Sequence, residues 1–252
     1  MDMRTRFVRY MLLALLLVLQ AAPSGARELL VVGTHFGRVF ERTESGAYVG
    51  LGVDVVRELA SQAGHTVRFE MHPWARAQEI VALGLADILH GPYKTDERET
   101  RLAFAQQPFY QDQMVFFKRT ASDVGWNGNF ASLKGLRAYK ILGWSYGAAF
   151  DHEFSQLPYF LTLEAGVLRL SQGSIDLLAT NRRNTETLMK EMNLVGAITP
   201  LEPVIDILNG YLAFPKQAKY EPLRAQFDQI FGTMVAQGRL AALGRKHKVQ
   251  LP

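Results

Sequence analysis

The sequence has 252 residues, with 28 Lys and Arg against 24 Asp and Glu, a formal net charge of +4, six His and no Cys. Without cysteine there are no disulfides, no thiol catalysis, no thiolate-held metal and no lipidated cysteine. No basic stripe interleaves with aromatic residues, which removes the nucleic-acid-binding class, and the late "GRKHK" reads as a solvated helix terminus.

Residues 1–26 have the three-part layout of a secretory signal peptide. Arg4, Arg6 and Arg9 precede the apolar run "MLLALLLVL", and Ser24-Gly25-Ala26 offer small residues for cleavage. The run is short for a membrane span, and an uncleaved anchor helix is the competing reading. The expected mature chain starts after Ala26 with 25 basic and 23 acidic residues, a net charge of only +2. Such a product is expected to be free and soluble in the periplasm.

From Glu28 strand and helix alternate. "ELLVVG" reads as a strand and "GVDVVRELASQAG" as a helix whose Val55, Val56, Leu59, Ala60 and Ala63 share one face, with Gly64 at its C-terminal end. "TVRFE", "WARAQEIVALG" and "ADILHG" continue as strand, helix and strand. After the Gly/Asn-rich passage "VGWNGNFASLKG" the pattern restarts with "LRAYKILG", "YGAAFDHEFSQ", "LEAGVLRLSQG" and "SIDLLAT". The chain closes on "EPLRAQFDQIFGTMVAQGRLAAL", a helical stretch broken near Gly238. This alternation predicts an α/β layer fold with a mostly parallel sheet. "VALGLADIL" and "RLSQGSIDLL" each end a helix with Gly and enter a strand through Asp, at Gly84/Asp87 and Gly173/Asp176. Two lobes built on similar lines are expected, with a cleft at the carboxyl ends of their strands.

Catalytic signatures are missing. "GLGVDV" lacks the third glycine of a dinucleotide loop, there is neither a serine elbow nor a zinc helix motif, and the histidines are scattered. Thr95, followed by Asp96 and Glu97, reads as a helix N-cap with acids complementing the dipole; an ordinary capped turn reads the same way. A guanidinium beside free N–H groups suits a carboxylate, and the residues alone do not choose between Arg98 and Arg101. Trp74 and Arg76 start a helix after a strand end, where either serves packing or a ligand. Ser145 and Tyr146 lie between a strand and a helix, where unpaired N–H groups meet anions or where Ser simply caps.

The stretches "YVGLGVDVVRELA", "WARAQEIVALGLADIL", "KTDERETRLAFAQQPFY", "SLKG", "ILGWSYGAAF", "GSIDLLATN" and "QGRLAAL" resemble the extracellular solute-binding proteins of family 3, the receptors of polar amino-acid ABC transporters. They follow family order from about residue 29 to 248, and the Thr-x-x-Arg of Thr95–Arg98 with Phe104 is the most diagnostic piece. The resemblance implies an α/β, two-lobed type 2 periplasmic binding protein, a flytrap with a double crossover between its lobes. Lobe 1 is expected over 27–112 with a return over 209–252, and lobe 2 over 113–208. The family's carboxylate-binding arginine matches Arg98 and its aromatic walls match Phe36 and Trp74. Its first-lobe polar contacts fall on His90, Gly91, Tyr93 and Thr95, its second-lobe contacts on Ser145 and Tyr146. The implied protein is a monomer that binds a small polar or acidic ligand without cofactor, metal or catalysis and serves an inner-membrane ABC permease.

Two departures bear on the ligand. Asn181 stands where amino-acid receptors carry an acid for the ligand's ammonium, and "HGPY" replaces the small hydroxyl residues before Thr95. With Arg98, Arg76 and His90 in the expected contact set and no carboxylate, an acidic ligand is expected over a polyamine, unless Glu70 or Asp112 reaches the cleft. Two other functions share the fold. One is an enzyme resembling periplasmic cyclohexadienyl dehydratases, with Glu70, His72 or His90 as its acid; the other is a ligand sensor for a membrane receptor.

Overall fold

The computed structural model describes residues 25–252; the expected signal peptide's basic residues and apolar run lie outside them. No helix among the described residues is long and apolar enough to cross a membrane.

Strand β1 (Glu28–Gly33) is buried throughout its second half, Val31 to Gly33, and lies between two parallel partners, β4 (Thr66–Met71) and β5 (Ile88–Tyr93). A short hairpin, β2 (Glu41–Arg42) with β3 (Tyr48–Val49), leads into α1 (Leu51–Gln62). The apolar stripe Val55, Val56, Leu59 and Ala60 of α1 is buried as its periodicity requires, each large aliphatic contributing about 1.5–3 kcal/mol. Helix α2 (Trp74–Ala82) packs Ala77 and Val81 against Val32 and Leu89 of β1 and β5. The short α3 (Asp96–Arg101) and β6 (Leu102–Phe104) follow.

The chain then crosses over on β7 (Tyr110–Arg119) and builds a second half from β8 (Ala138–Ile141), α4 (Ala148–Glu153), β9 (Tyr159–Phe160), α5 (Leu163–Ser171), β10 (Leu177–Asn181), α6 (Arg182–Glu191) and β11 (Ile198–Pro200). It returns on β12 (Asp206–Pro215) and ends with α7 (Glu221–Ala236) and α8 (Arg239–His247), separated by Gly238 at φ 70°. The strand order is β4-β1-β5-β12-β7-β10-β8-β9. The outer strands of each half are parallel as expected, but β7 and β12 are antiparallel to each other and join the halves, with Asp112 paired to Leu208. Two lobes linked by two crossing strands are therefore the architecture.

The two Gly/Asp motifs have the same structural job. Asp87 accepts the N–H of Leu30 at 2.7 Å and a guanidinium N–H of Arg27 at 2.7 Å. Asp176 accepts the N–H of Arg137 at 2.8 Å and that residue's guanidinium at 2.7 Å. Each carboxylate thus satisfies the entry of the neighbouring strand in its own lobe. Gly84 and Gly173 precede them at φ 73° and 75°, left-handed positions where a side chain is strained. Helix α4 is shorter than its sequence suggests: Lys140 Nζ takes the carbonyls of Phe154 and Ser155 at 2.8 and 3.1 Å, fixing the chain as it leaves the helix.

Candidate functional site

The carboxyl ends of β1, β5 and β8 converge on a cavity of about 30 Å³ between the lobes. Phe36, Trp74 and Tyr93 wall it from lobe 1, Trp144 and Ser145 from lobe 2, and Arg98 lies at its edge. Phe36 packs edge-on against Tyr93 and Trp144, with ring centroids 6.3 and 6.2 Å apart, so the walls are a contiguous aromatic surface.

Arg98 is placed by the turn that the sequence marks. Gly91, at φ 77°, is the one less buried position of β5, with Pro92 and Tyr93 buried after it, and Thr95 Oγ1 caps α3 by accepting the Arg98 N–H at 3.3 Å. The guanidinium is buried and donates to Gln78 Oε1 at 3.1 Å, to the Tyr93 carbonyl at 2.8 Å and to the Gly143 carbonyl of lobe 2 at 3.1 Å. Its charge lies 5.5 Å from the Trp74 ring centroid, and Trp74 Nε1 donates to the same Gly143 carbonyl at 3.2 Å. Burial lowers the Arg98 pKa from its ordinary value, with Tyr93, Glu97 and Asp151 opposing. No carboxylate pairs with this guanidinium among the described residues: its partners are neutral acceptors.

A second buried cation sits behind the aromatic wall. Arg183 donates Nε to Asp112 Oδ1 at 2.9 Å and Nη2 to Oδ2 at 2.8 Å, and Nη1 to the Gly37 carbonyl of lobe 1. Its guanidinium stacks 4.8 Å from the Phe36 centroid. Tyr93 Oη donates to Asp112 Oδ2 at 2.8 Å and accepts from Asn181 Nδ2 at 2.9 Å. Burial alone would depress the Arg183 pKa, but Asp112 overrides it and the net shift is upward. Burial and Asp112 push the Tyr93 hydroxyl well above its usual range.

The expected site residues separate into two groups. Phe36, Trp74, His90, Gly91, Tyr93, Arg98 and Ser145 line the cavity. Thr95 lines the wider cleft mouth beside Lys140 and Asp151. The structure turns Arg76 elsewhere: it is exposed, because two residues along a helix is about 200° of rotation from Trp74. Tyr146 is a core residue whose hydroxyl accepts the Ile141 N–H at 2.7 Å. The N–H groups expected to meet an anion before α4 are served from within, since Asp151 accepts Ser145 Oγ at 2.5 Å and the Tyr146 N–H at 3.0 Å. Asn181 is buried outside the cavity lining; its Oδ1 caps α6 through the Asn184 N–H at 2.8 Å.

His90 is held neutral. It stacks on Phe40 at 4.7 Å, its Nε2 lies against Gly52 at the start of α1, and burial drives its pKa down to about 3, backbone contacts opposing and the Arg183 charge adding. Glu70 and His72 pair with each other at 3.0 Å away from the cavity lining, and Arg68 holds the Glu70 pKa low. Trp144 and the pairing of Asp112 with Arg183 are what sequence reasoning missed; it raised Asp112 only as an acid for the cleft. Trp144 stood in the "GWSYG" stretch, and Arg183 two residues after Asn181, but nothing local told them from packing residues.

The chain belongs to the bacterial extracellular solute-binding proteins, family 3, whose profile it matches over residues 30–250. Among solved structures it is similar to a histidine kinase sensor domain resembling periplasmic binding proteins, with a TM-score of 0.79, 19% identity and coverage of 90% of this chain and 99% of that one. It is also similar to an ABC uptake transporter substrate-binding protein from Streptococcus pneumoniae with bound histidine (TM-score 0.74, 16% identity, 87% and 91% covered). A third likeness is to the arginine-, lysine-, histidine-binding protein of Geobacillus stearothermophilus (TM-score 0.73, 19% identity, 87% and 94% covered). No curated protein sequence matches the chain.

Proposed function

We propose that this chain is a monomeric periplasmic receptor that captures a small polar or acidic molecule bearing a carboxylate, closes over it, and delivers it to an inner-membrane ABC permease. The observation that carries the reading is Arg98. A buried guanidinium with only neutral acceptors is a costly arrangement that an entering carboxylate relieves. Its planar fork suits that partner bidentately. Because Arg98 and Trp74 both reach Gly143 of lobe 2, a ligand held there touches both lobes, and differential contact with the closed state is what shifts the population.

The lobe boundaries follow the same reading: 27–112 with 209–252, and 113–208. The pairing of Asp112 with Leu208 at the crossover supports them. A cavity of about 30 Å³ holds roughly two waters, so the lobes part to admit a ligand of amino-acid size. The residues lining the cavity include no carboxylate; behind them Asp112 is engaged by Arg183 and Tyr93, and Asp151 by Ser145 and the Tyr146 N–H. An ammonium group inside the cavity therefore lacks an uncommitted anionic partner, while Asp96, Glu97 and Asp206 line only the wider mouth. The pneumococcal protein with bound histidine and the Geobacillus protein named for basic amino acids bind cargo of the same size class; the acid-poor lining here argues for a different charge.

A thermal-shift screen of amino acids, dicarboxylates, polyamines and small peptides tests this. A ligand at about 100 times its dissociation constant stabilises the protein by roughly 2.7 kcal/mol. Stabilisation by polyamines and not by carboxylates counts against the reading.

The likeness to a histidine kinase sensor domain favours a second output for the same binding chemistry, presentation of the closed form to a membrane receptor. Loss of ligand uptake on gene deletion supports transport, whereas loss of a transcriptional response with uptake intact supports sensing. An enzymatic reading draws little from the cavity, whose titratable side chains are a neutral His90, a raised Tyr93 and Arg98. Turnover of prephenate would restore it.

A further inference from the structure

The scattered histidines give no metal motif in sequence, yet among the described residues the fold assembles one mixed donor set. His35, Glu41 and Glu191 bring one imidazole nitrogen and two carboxylate oxygens within 4.8 Å of one another. Two belong to lobe 1 and the third is the last residue of α6 in lobe 2. We propose that these three side chains form a divalent transition-metal site that staples the lobes in their closed arrangement, with Zn²⁺ as the fitting ion.

The backbone explains why they meet. Phe36 and Phe40 form an antiparallel bridge, with the Phe40 N–H donating to the Phe36 carbonyl at 2.8 Å. His35 and Glu41 flank that bridge and are cross-strand neighbours. The Glu41 carboxylate is already oriented, since Oε1 accepts the Arg38 N–H at 2.8 Å, while Oε2 has no hydrogen-bond partner among the described residues. Such a supporting hydrogen bond is what fixes a metal ligand's direction.

The third donor arrives on one stripe of α6. Asn184 Oδ1 accepts the Gly37 N–H at 2.9 Å, and a Cβ at Gly37 would stand 2.8 Å from Thr187 Oγ1, so only glycine lets the helix approach so closely. Asn184, Thr187 and Glu191 are three and four residues apart and share one face. The contact that docks Gly37 onto α6 therefore also delivers Glu191 beside His35 and Glu41. The helix C-terminus adds its partial negative charge. The two arginines at the other end of the helix are committed elsewhere, Arg182 to Glu202 and Arg183 to Asp112.

The donor set selects the ion. One imidazole and two carboxylates suit a borderline cation that keeps a water as fourth ligand, and Zn²⁺ takes such ligands at about 2.0–2.2 Å. Mg²⁺ and Ca²⁺ prefer all-oxygen shells with more ligands. His35 and Glu191 are exposed, so modest rotamer changes bring the donors to bonding distance. None of the three lines the ligand cavity, and the proposal stands whether or not a carboxylate binds there.

Zn²⁺ itself is the probe, titrated by calorimetry into tag-free, chelator-treated full-length mature protein, with His35→Ala and Glu191→Gln alongside. The wild type should bind one Zn²⁺ per chain, resist millimolar Mg²⁺, and melt at a higher temperature with the ion. Both variants touch exposed side chains, so their metal-free melts should match the wild type, while each loses at least tenfold in Zn²⁺ affinity and the thermal shift. Absence of binding at 100 µM Zn²⁺ overturns the site. Affinity unchanged in Glu191→Gln overturns the bridge between lobes even if His35→Ala weakens it.

Discussion

Arg183 on α6 grips Asp112 on the crossover strand β7 with two N–H···O bonds of 2.9 and 2.8 Å, and both side chains are buried. The same guanidinium donates to the Gly37 carbonyl, so the pair ties the crossover to both lobes. Removing one partner leaves the other as an uncompensated buried charge. Asp112→Asn and Arg183→Met are each expected to cost about 3–5 kcal/mol, read by urea denaturation. A loss below about 1 kcal/mol in both would show that water or other groups take over the orphaned charge.

His90 makes stability fall in mild acid. Its folded pKa of about 3 lies below the unfolded value near 6.5, so the unfolded chain binds the extra proton first. Stability from neutral His90 is complete above pH 6.5 and is lost as pH falls toward 3, by up to about 1.4 kcal/mol per pH unit. His90→Leu should flatten this dependence between pH 6.5 and 4.5. Parallel curves for wild type and variant would place the proton elsewhere.

Gly52 is a test of the same packing. A Cβ there would stand 1.7 Å from His90 Nε2, inside a helix where alanine is otherwise welcome. Gly52→Ala should destabilise by about 1–3 kcal/mol, and the cost should shrink on a His90→Ala background. Equal costs on both backgrounds would mean that another contact sets it.

Sequence periodicity carried the layer order because each outer strand and helix buries a face that its own residues define, as α1 and the two Gly/Asp motifs show. The antiparallel crossover was invisible to that logic, since β7 and β12 are ten residues each and partner strands far away in the chain. In the site, Thr95 and Arg98 were legible through capping chemistry and family spacing. Arg76 and Tyr146 lie outside the cavity lining because nearness in sequence does not decide direction: a helix turns one away, and the other's hydroxyl is taken by the Ile141 backbone. The pairing of Arg183 with Asp112 went unread because its partners lie 71 residues apart in the chain.

Trp74 joins the cavity wall to the lobe–lobe contact through Nε1 on the Gly143 carbonyl and its ring over Arg98. Trp74→Ala should weaken ligand binding by removing the wall and the interlobe bond, and ligand should shift tryptophan emission in the wild type only in part through Trp144. Undiminished affinity in Trp74→Ala would reduce the residue to packing.

Arg98 as the carboxylate's partner is tested most directly by calorimetry on a matched pair: the best carboxylate from the screen and its neutral carboxamide, each titrated into wild type and Arg98→Ala. Circular dichroism and thermal melts first establish that the variant is folded; Arg98→Gln serves if it is not. The wild type should prefer the carboxylate by at least tenfold, about 1.4 kcal/mol, and the variant should lose that preference together with most of its affinity. Equal binding of acid and amide by the wild type, or tight binding of a polyamine, would contradict it.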